Sequence, residues 1–394
     1  MIVYMIARII IPILLLLLLS DMYVDRHLLR RLKRRRLAWR TLWWAQCAVM
    51  VIYSVVVAAA RNFAPDSMAF FNCYLMMLSA WALPKLVFVV CSLLGWGHCA
   101  CHKTRVNWGN PTGALLGVVV SACSLYAMTA GFDTVKVRHI VYRSASLPEA
   151  FDGYRIVQFS DLHAGTYAGG RAGMVAEVVD TILAQRPDMI VFTGDLQNMQ
   201  PSELLPHERQ LSRLRAKDGV FSVLGNHDYA YYIKGSASER RRNCLEMIAA
   251  QRRFGWQLLL NEHRTVRRGA DSIVVAGMEY EGNSVRVPSR GNLSKTLLGV
   301  DQKSAFVLML QHDPTSWRTD ILPHSSAQLT LSGHTHGGQI NVFGWSPAAL
   351  AYSEWSGMYA VGDRAINVSS GVGGFAPFRL GCPGEVVVVE LRRK

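Results

Sequence analysis

The sequence predicts an N-terminal α-helical transmembrane region followed by an α/β domain, a two-sheet β-sandwich flanked by helices. Three observations carry that prediction. Long apolar runs fill residues 1–132, short β-rich runs alternating with helix-like stretches begin near Asp133, and metal-ligand residue types recur directly after the apolar runs of the second part. The organisation that follows is a transmembrane region over 1–132, with about four helices and a basic loop at 21–41, then a linker over 133–150 and the α/β domain over 151–394.

At 394 residues the chain has room for two or three domains, and 51% hydrophobic residues with a mean hydropathy of +0.16 is high for a wholly soluble protein. The charge is uneven: residues 1–132 carry 13 Lys/Arg against 3 Asp/Glu, whereas the remainder carries 29 against 25. Most of the formal +14 belongs to the membrane part, so the pI of 9.6 gives no reason to expect nucleic acid as a partner.

A span of the hydrocarbon core takes about 20 mostly apolar residues. Ile2–Leu19 qualifies, with Arg8 able to snorkel to the interface. It lacks a charged n-region and a small-residue cleavage site, so it reads as a retained helix rather than a signal peptide. Leu42–Ala60 and Thr112–Phe132 also qualify. Met68–Trp96 is longer and is interrupted by Pro84-Lys85, which allows one kinked span or a re-entrant pair.

The segment between the first two spans holds Arg26, Arg30, Arg31, Lys33, Arg34, Arg35, Arg36 and Arg40; the next loop holds only Arg61, and the third Lys103 and Arg105. The positive-inside bias puts the first loop in the cytoplasm and the N-terminus outside. With an even number of spans the C-terminal domain is then outside as well. The expected location is the cell (inner) membrane, with the α/β domain on the periplasmic or outer face. Six of the eight cysteines lie in or beside the apolar third and read as small hydrophobes; only Cys244 and Cys382 fall in the polar domain, and the sequence does not decide whether they meet.

In the second part Arg155–Ser160 is a buried strand by composition, Met174–Gln185 an amphipathic helix and Met189–Thr193 the next strand, a βαβ order. Val220–Leu224, Ile273–Ala276, Phe306–Leu310, Gln328–Leu331, Ala365–Val368 and Val386–Leu391 supply further strands, enough for two sheets with helices outside.

Five of these runs end in candidate ligands: Asp161-Leu-His163, Gly194-Asp195, Gly225-Asn226-His227-Asp228, Gln311-His312 and Gly333-His334-Thr-His336. Strand ends in an α/β sheet bring side chains from distant positions to one crevice. Each piece alone reads as a turn, a helix cap or a core histidine; five in order, each closing an apolar strand, do not. Mixed imidazole, carboxylate and amide donors suit Mn, Fe, Zn or Co better than Ca or an all-thiolate Zn site. Gly194, Gly225 and Gly333 precede ligands at turns where a Cβ would restrict the backbone or crowd the ions.

This set resembles the full signature of the calcineurin-like metallophosphoesterases over about residues 150–394. Gly337-Gly338-Gln339-Ile340 and the stretch from Ser369-Ser370-Gly371 to Pro383-Gly384-Glu385 are similar to the bacterial subgroup whose catalytic domain follows an N-terminal membrane segment. The resemblance implies a domain holding two divalent metal ions, one on Asp161, His163 and His336, the other on Asn226, His312 and His334, with Asp195 bridging. It implies hydrolysis of a phosphoester by a hydroxide shared between the ions, with His227 as general acid and Asp228 orienting its ring and raising its pKa. The expected substrate is a phosphodiester or pyrophosphate, lipid-linked or nucleotide, with the lipid bilayer as a standing partner and no nucleic acid. One departure is Gly277-Met-Glu279-Tyr280, where family members tend to carry Asp after the glycine; it bears on a substrate-facing loop, not on a ligand.

Two readings stay open: an active hydrolase, favoured because all eight ligand and acid positions are filled, and a non-catalytic membrane-bound binding or sensing module on the same fold. Arg240–Arg242, Arg252-Arg253 and Arg264/Arg267/Arg268 read either as solvated faces with compensating acids or as attraction to anionic headgroups, about 1 kcal/mol per basic residue near such a surface.

Overall fold

The computed structural model describes residues 2–31, 36–59, 65–284 and 286–394. Of the basic residues singled out above, Lys33, Arg34, Arg35 and Arg61 lie outside the described residues, as do the side chains of Arg8, Arg31 and Arg36. The chain divides into two compact units, one ending at Thr129 and one running from Ala130 to Lys394.

The first unit is helical: α1 (Ile2–His27), α2 (Arg36–Ala59), α3 (Pro65–Met77), α4 (Leu83–His102) and α5 (Gly109–Met128). Three helical stretches among the described residues are long and apolar enough to cross a membrane, Leu37–Ala59, Met68–His102 and Gly109–Asp133. The expected first span, Ile2–Leu19, lies in α1, whose side chains before Ile10 are outside the described residues. Met68–His102 is one continuous helical run, not a re-entrant pair. A π-turn at Leu78–Ala82 joins α3 to α4 and puts Pro84 in the first turn of α4, where a residue without an N–H is tolerated.

The basic loop expected at 21–41 is shorter than its composition suggests, because α1 continues to His27 and α2 starts at Arg36. The polar residues at the end of α1 are paired inside the unit. Lys85 Nζ donates to both Asp21 oxygens at 2.7 and 2.9 Å, Gln46 donates to Asp21 at 3.2 Å, and Arg40 donates to Asp25 at 2.6 and 3.1 Å. Asp21, Asp25 and Lys85 are buried, and buried charges persist in such surroundings only when paired.

The second unit contains two six-stranded sheets. In chain order the strands are β1 (Val135–Ser144), β2 (Arg155–Phe159), β3 (Met189–Phe192), β4 (Val220–Ser222), β5 (Gln257–Leu258), β6 (Glu262–Arg268), β7 (Asp271–Gly277), β8 (Phe306–Leu310), β9 (Leu329–Ser332), β10 (Gly357–Val361), β11 (Arg364–Val368) and β12 (Gly384–Arg393). One sheet has the order β1-β12-β2-β3-β4-β5 and the other β10-β11-β9-β8-β7-β6. The strands expected from apolar runs are the eight interior ones. The four unexpected strands, β1, β5, β6 and β10, are the edges, where one side of the ladder is open and the composition is mixed. Residues 133–150, expected as a linker, thus contain a ten-residue strand in parallel register with β12.

Alternation along β8 shows how the layers are filled. Phe306, Leu308 and Leu310 join Ile156, Val191 and Val389 in one core, while Val307 and Met309 point to the other face, against Trp317, Ile321 and Ile366. Helices α6 (Met174–Ala184) and α7 (Ala237–Arg253) complete the domain, the latter opened by a capping box of Ser236 and Glu239.

Candidate metal centre

Parallel registry aligns the ends of β2, β3 and β4, with Phe159 opposite Phe192 and Phe192 opposite Ser222. Leu310 of β8 likewise faces Leu331 of β9. The residues just beyond these ends therefore converge. Donor atoms of Asp161, His163 and His336 lie within 4.8 Å of one another, as do those of Asp195, His312 and His334, and those of His163, Asp195 and His227. Asp195 Oδ2 is 3.2 Å from His312 Nε2 and 3.7 Å from His163 Nε2, and Asp161 Oδ1 is 3.6 Å from His336 Nε2. Asn226 Oδ1 joins at 3.0 Å from His312 Nε2. All seven residues expected as ligands are in this one place.

The backbone is bent to hold them. Asp161, His163, Asp195, His334 and His336 all have positive φ, between 51° and 75°. Left-handed conformations are costly outside glycine, and their clustering marks a site where the surroundings impose geometry. The preceding glycines leave room for this. A Cβ on Gly333 would lie 2.4 Å from the Asp161 carboxylate, and one on Gly194 would lie 2.6 Å from His312 Nδ1.

The residues fit divalent ions. His163 is fully buried, yet neither ring nitrogen has a hydrogen-bond partner, and His336 Nδ1 also lacks one; a buried imidazole without partners is costly unless a nitrogen is a ligand. Burial, reinforced for His163 by the neighbouring His227, holds the pKa of His163 well below the ordinary histidine range, and burial also lowers that of His336. Both shifts favour the neutral form that binds metal. Burial works to raise the Asp195 pKa, but His312 and His227 bring it well below the usual range, so it stays a carboxylate. His312 donates its Nδ1 proton to the Thr193 carbonyl at 2.7 Å, which directs Nε2 toward Asp195 and Asn226.

His227 and Asp228 are both buried here, but Asp228 does not orient the His227 ring. Its carboxylate accepts backbone N–H groups of Asp195, Leu196, Gln197 and Gly225 at 2.9–3.3 Å, fixing the two loops that carry Asp195 and Asn226. The ring is held instead by the Asn198 carbonyl, 2.6 Å from Nδ1. Nor is the His227 pKa raised: burial pushes it down to about 4.

The model of the calcineurin-like phosphoesterase family matches residues 154–338, and one described as "Probable Calcineurin-like phosphoesterase, transmembrane domain" matches residues 7–132. "Uncharacterized metallophosphoesterase YkuE" of Bacillus subtilis is 30% identical over 261 residues, covering 64% of this chain and 83% of that protein. The chain belongs to the calcineurin-like phosphoesterases. A Danio rerio "Transmembrane protein with metallophosphoesterase domain" is 26% identical to this family member over 285 residues, 70% of the chain, and the match spans only 62% of that relative's length. "Phosphodiesterase YaeI" of Escherichia coli is 24% identical over 273 residues, covering 68% of the chain and 90% of that protein. Membership in this family implies a phosphate-containing substrate and divalent metal ions, and the matched transmembrane domain makes the chain a membrane protein.

Several residues around the centre of this calcineurin-like chain are not among those expected from the sequence. Tyr232 accepts from Asn226 Nδ2 at 2.7 Å, Tyr352 Oη lies 3.1 Å from His334 Nε2, and Asp313 Oδ2 is 3.4 Å from the same nitrogen. Asp313 directly follows His312 and was within reach of the motif; the tyrosines, on loops without spacing cues, were not. Cys244 and Cys382 are both free thiols.

Proposed function

We propose that this chain hydrolyses a phosphodiester or pyrophosphate at a dinuclear metal centre. Asp161, His163 and His336 would hold one ion and Asn226, His312 and His334 the second, with Asp195 serving both. The reading rests on Asp195 being common to two clusters of close donor atoms. Mn, Zn, Fe or Co suits this donor set, and such ions, when bound, supply Lewis-acid polarisation of phosphoryl oxygens and activation of water.

The chain's own contribution to proton transfer is His227. Its Nδ1 is committed to the Asn198 carbonyl, so Nε2 is the atom that delivers a proton to the leaving oxygen. A phosphate anion beside the ring supplies the negative charge that favours the protonated form. A lipid-linked or nucleotide phosphate is the substrate class we favour, because a catalytic domain carried on membrane helices meets membrane-borne phosphates at high effective concentration. The name of the Escherichia coli relative supports a phosphodiester. The charge alternation between spans supports a domain on the periplasmic or outer face of the cell membrane.

The test is metal-supplemented hydrolysis of bis-nitrophenyl phosphate, nitrophenyl phosphate and a lipid-linked pyrophosphate by the purified full chain and its Asp195→Ala and His227→Ala variants. Mn- or Zn-dependent turnover lost in both variants is expected. Bound ions without turnover of any substrate would instead favour a non-catalytic membrane-bound binding or sensing module.

A further inference from the structure

The departure at Glu279 opens onto a cavity of about 510 Å³ beside α7, lined by Tyr229, Tyr231, Arg240, Arg241, Glu279 and Arg290 among others. Its charge is lopsided. None of the three arginines makes an ion pair among the described residues, in contrast to Arg253, Arg264 and Arg268, which face Glu208 and Glu246, Glu262, and Asp188 and Asp218. A compensating acid thus faces Arg253, Arg264 and Arg268, but among the described residues none is within ion-pair distance of Arg240, Arg241 or Arg290.

The cavity is also built. The Arg290 guanidinium lies 5.0 Å from the Tyr229 ring centroid and donates to Tyr231 Oη at 3.4 Å, while Arg240 lies 5.8 Å from the Tyr231 ring. Stacking on aromatic faces fixes a guanidinium plane and leaves its N–H edge available. Buried Asn261 ties the wall together, donating to the Arg290 carbonyl at 2.9 Å and to Glu279 Oε2 at 2.6 Å. The single carboxylate is thereby occupied, since Glu279 also accepts from Tyr229 Oη at 3.3 Å.

We propose that this cavity binds a phosphate-bearing anion through Arg240, Arg241 and Arg290. Guanidinium groups match phosphate oxygens with paired N–H donors, and a pocket of this size takes a phosphorylated headgroup or a nucleotide-sized molecule. The site involves none of the expected metal ligands and stands independently of the hydrolytic reading.

The experiment is calorimetric titration of the metal-stripped full chain in neutral detergent, with inorganic pyrophosphate in one arm and a short-chain, water-soluble phosphatidic acid in the other. Saturable binding of at least one probe is expected, weakened about tenfold or more in Arg240→Ala/Arg290→Ala, as for the loss of charge-assisted hydrogen bonds. Arg241 is exposed, so Arg241→Glu keeps the test readable should the double variant lose its fold. Tighter binding of phosphatidic acid, with displacement of pyrophosphate, assigns the ligand to a lipid headgroup; tighter pyrophosphate binding assigns it to a free or substrate-borne phosphate. Binding of neither probe to the wild type, or undiminished binding by folded variants, overturns the proposal.

Discussion

His227 Nδ1 lies 2.6 Å from the carbonyl oxygen of Asn198, and the segment carrying that carbonyl is itself pinned by Glu203, which accepts the N–H groups of Asn198, Met199 and Gln200 at 2.5–3.2 Å. A ring so held has one nitrogen left for chemistry. Replacing it, as His227→Ala, should lower kcat for phosphodiester hydrolysis by about 10²–10⁴ while bound metal stays at the wild-type level. Steady-state rates together with elemental analysis check this; loss of one metal equivalent would make His227 a ligand instead.

The Glu203 support carries a pH dependence. Burial pushes its carboxyl up from 4.5 to about 7, although the backbone N–H groups pull the other way. With the folded pKa above the unfolded one, its contribution to stability is complete below about 4.5 and is lost as pH rises through about 7. The advantage of wild type over Glu203→Gln should therefore be larger at pH 5 than at pH 8, by on the order of 3 kcal/mol at most. Thermal denaturation at both pH values measures it, and a pH-independent gap would contradict the assignment.

Arg379 is fully buried and donates to the carbonyls of Ser370, Gly371, Gly373, Cys382 and Pro383. That loop is bonded to the candidate metal centre through Val372 N–H to the Ser160 carbonyl and Gly373 N–H to the Asp161 carbonyl. Arg379→Met leaves the carbonyls unpaired and should cost about 3–5 kcal/mol. Arg379→Lys should rescue little, because an ammonium cannot span the set. Melting temperature and retained metal are the readouts.

In the helical unit, Lys85→Met or Asp21→Asn alone strands a buried charge or leaves its partner polar group unmatched, and each should cost about 3–5 kcal/mol. The double variant should recover most of that loss. Denaturation of the full chain in mixed micelles separates the outcomes; additive losses would mean the two residues do not act as a pair.

Interior strands were legible because burial on both faces writes a continuous apolar run, as in Phe306-Val-Leu-Met-Leu, and the ligands were legible because Asp161, Asp195, Asn226, His312 and His334 each follow such a run. The edges were not, since β6, Glu262-His-Arg-Thr-Val-Arg-Arg, alternates with charge. The end of α1 was misread as loop because Asp21 finds its partner, Lys85, 64 residues away. The hold on His227 was invisible for another reason: it is made by a backbone carbonyl, which any residue at 198 would supply, whereas adjacency made Asp228 the obvious candidate.

Strand β12 sits between β1 and β2, so the first two strands of the second unit meet only through β12. Arg138 on β1 and Glu385 on β12 are 247 residues apart in sequence and 2.9 Å apart in space. As the polypeptide emerges from the ribosome, β1 must wait, its hydrogen-bonding edge open, until nearly every other strand has been made. Such a late closure of distant partners is slow and leaves the nascent domain open to pairing with a neighbouring copy. Yield of correctly assembled protein should thus be limited by the pairing of β1 with β12, and not by the gathering of the candidate metal ligands.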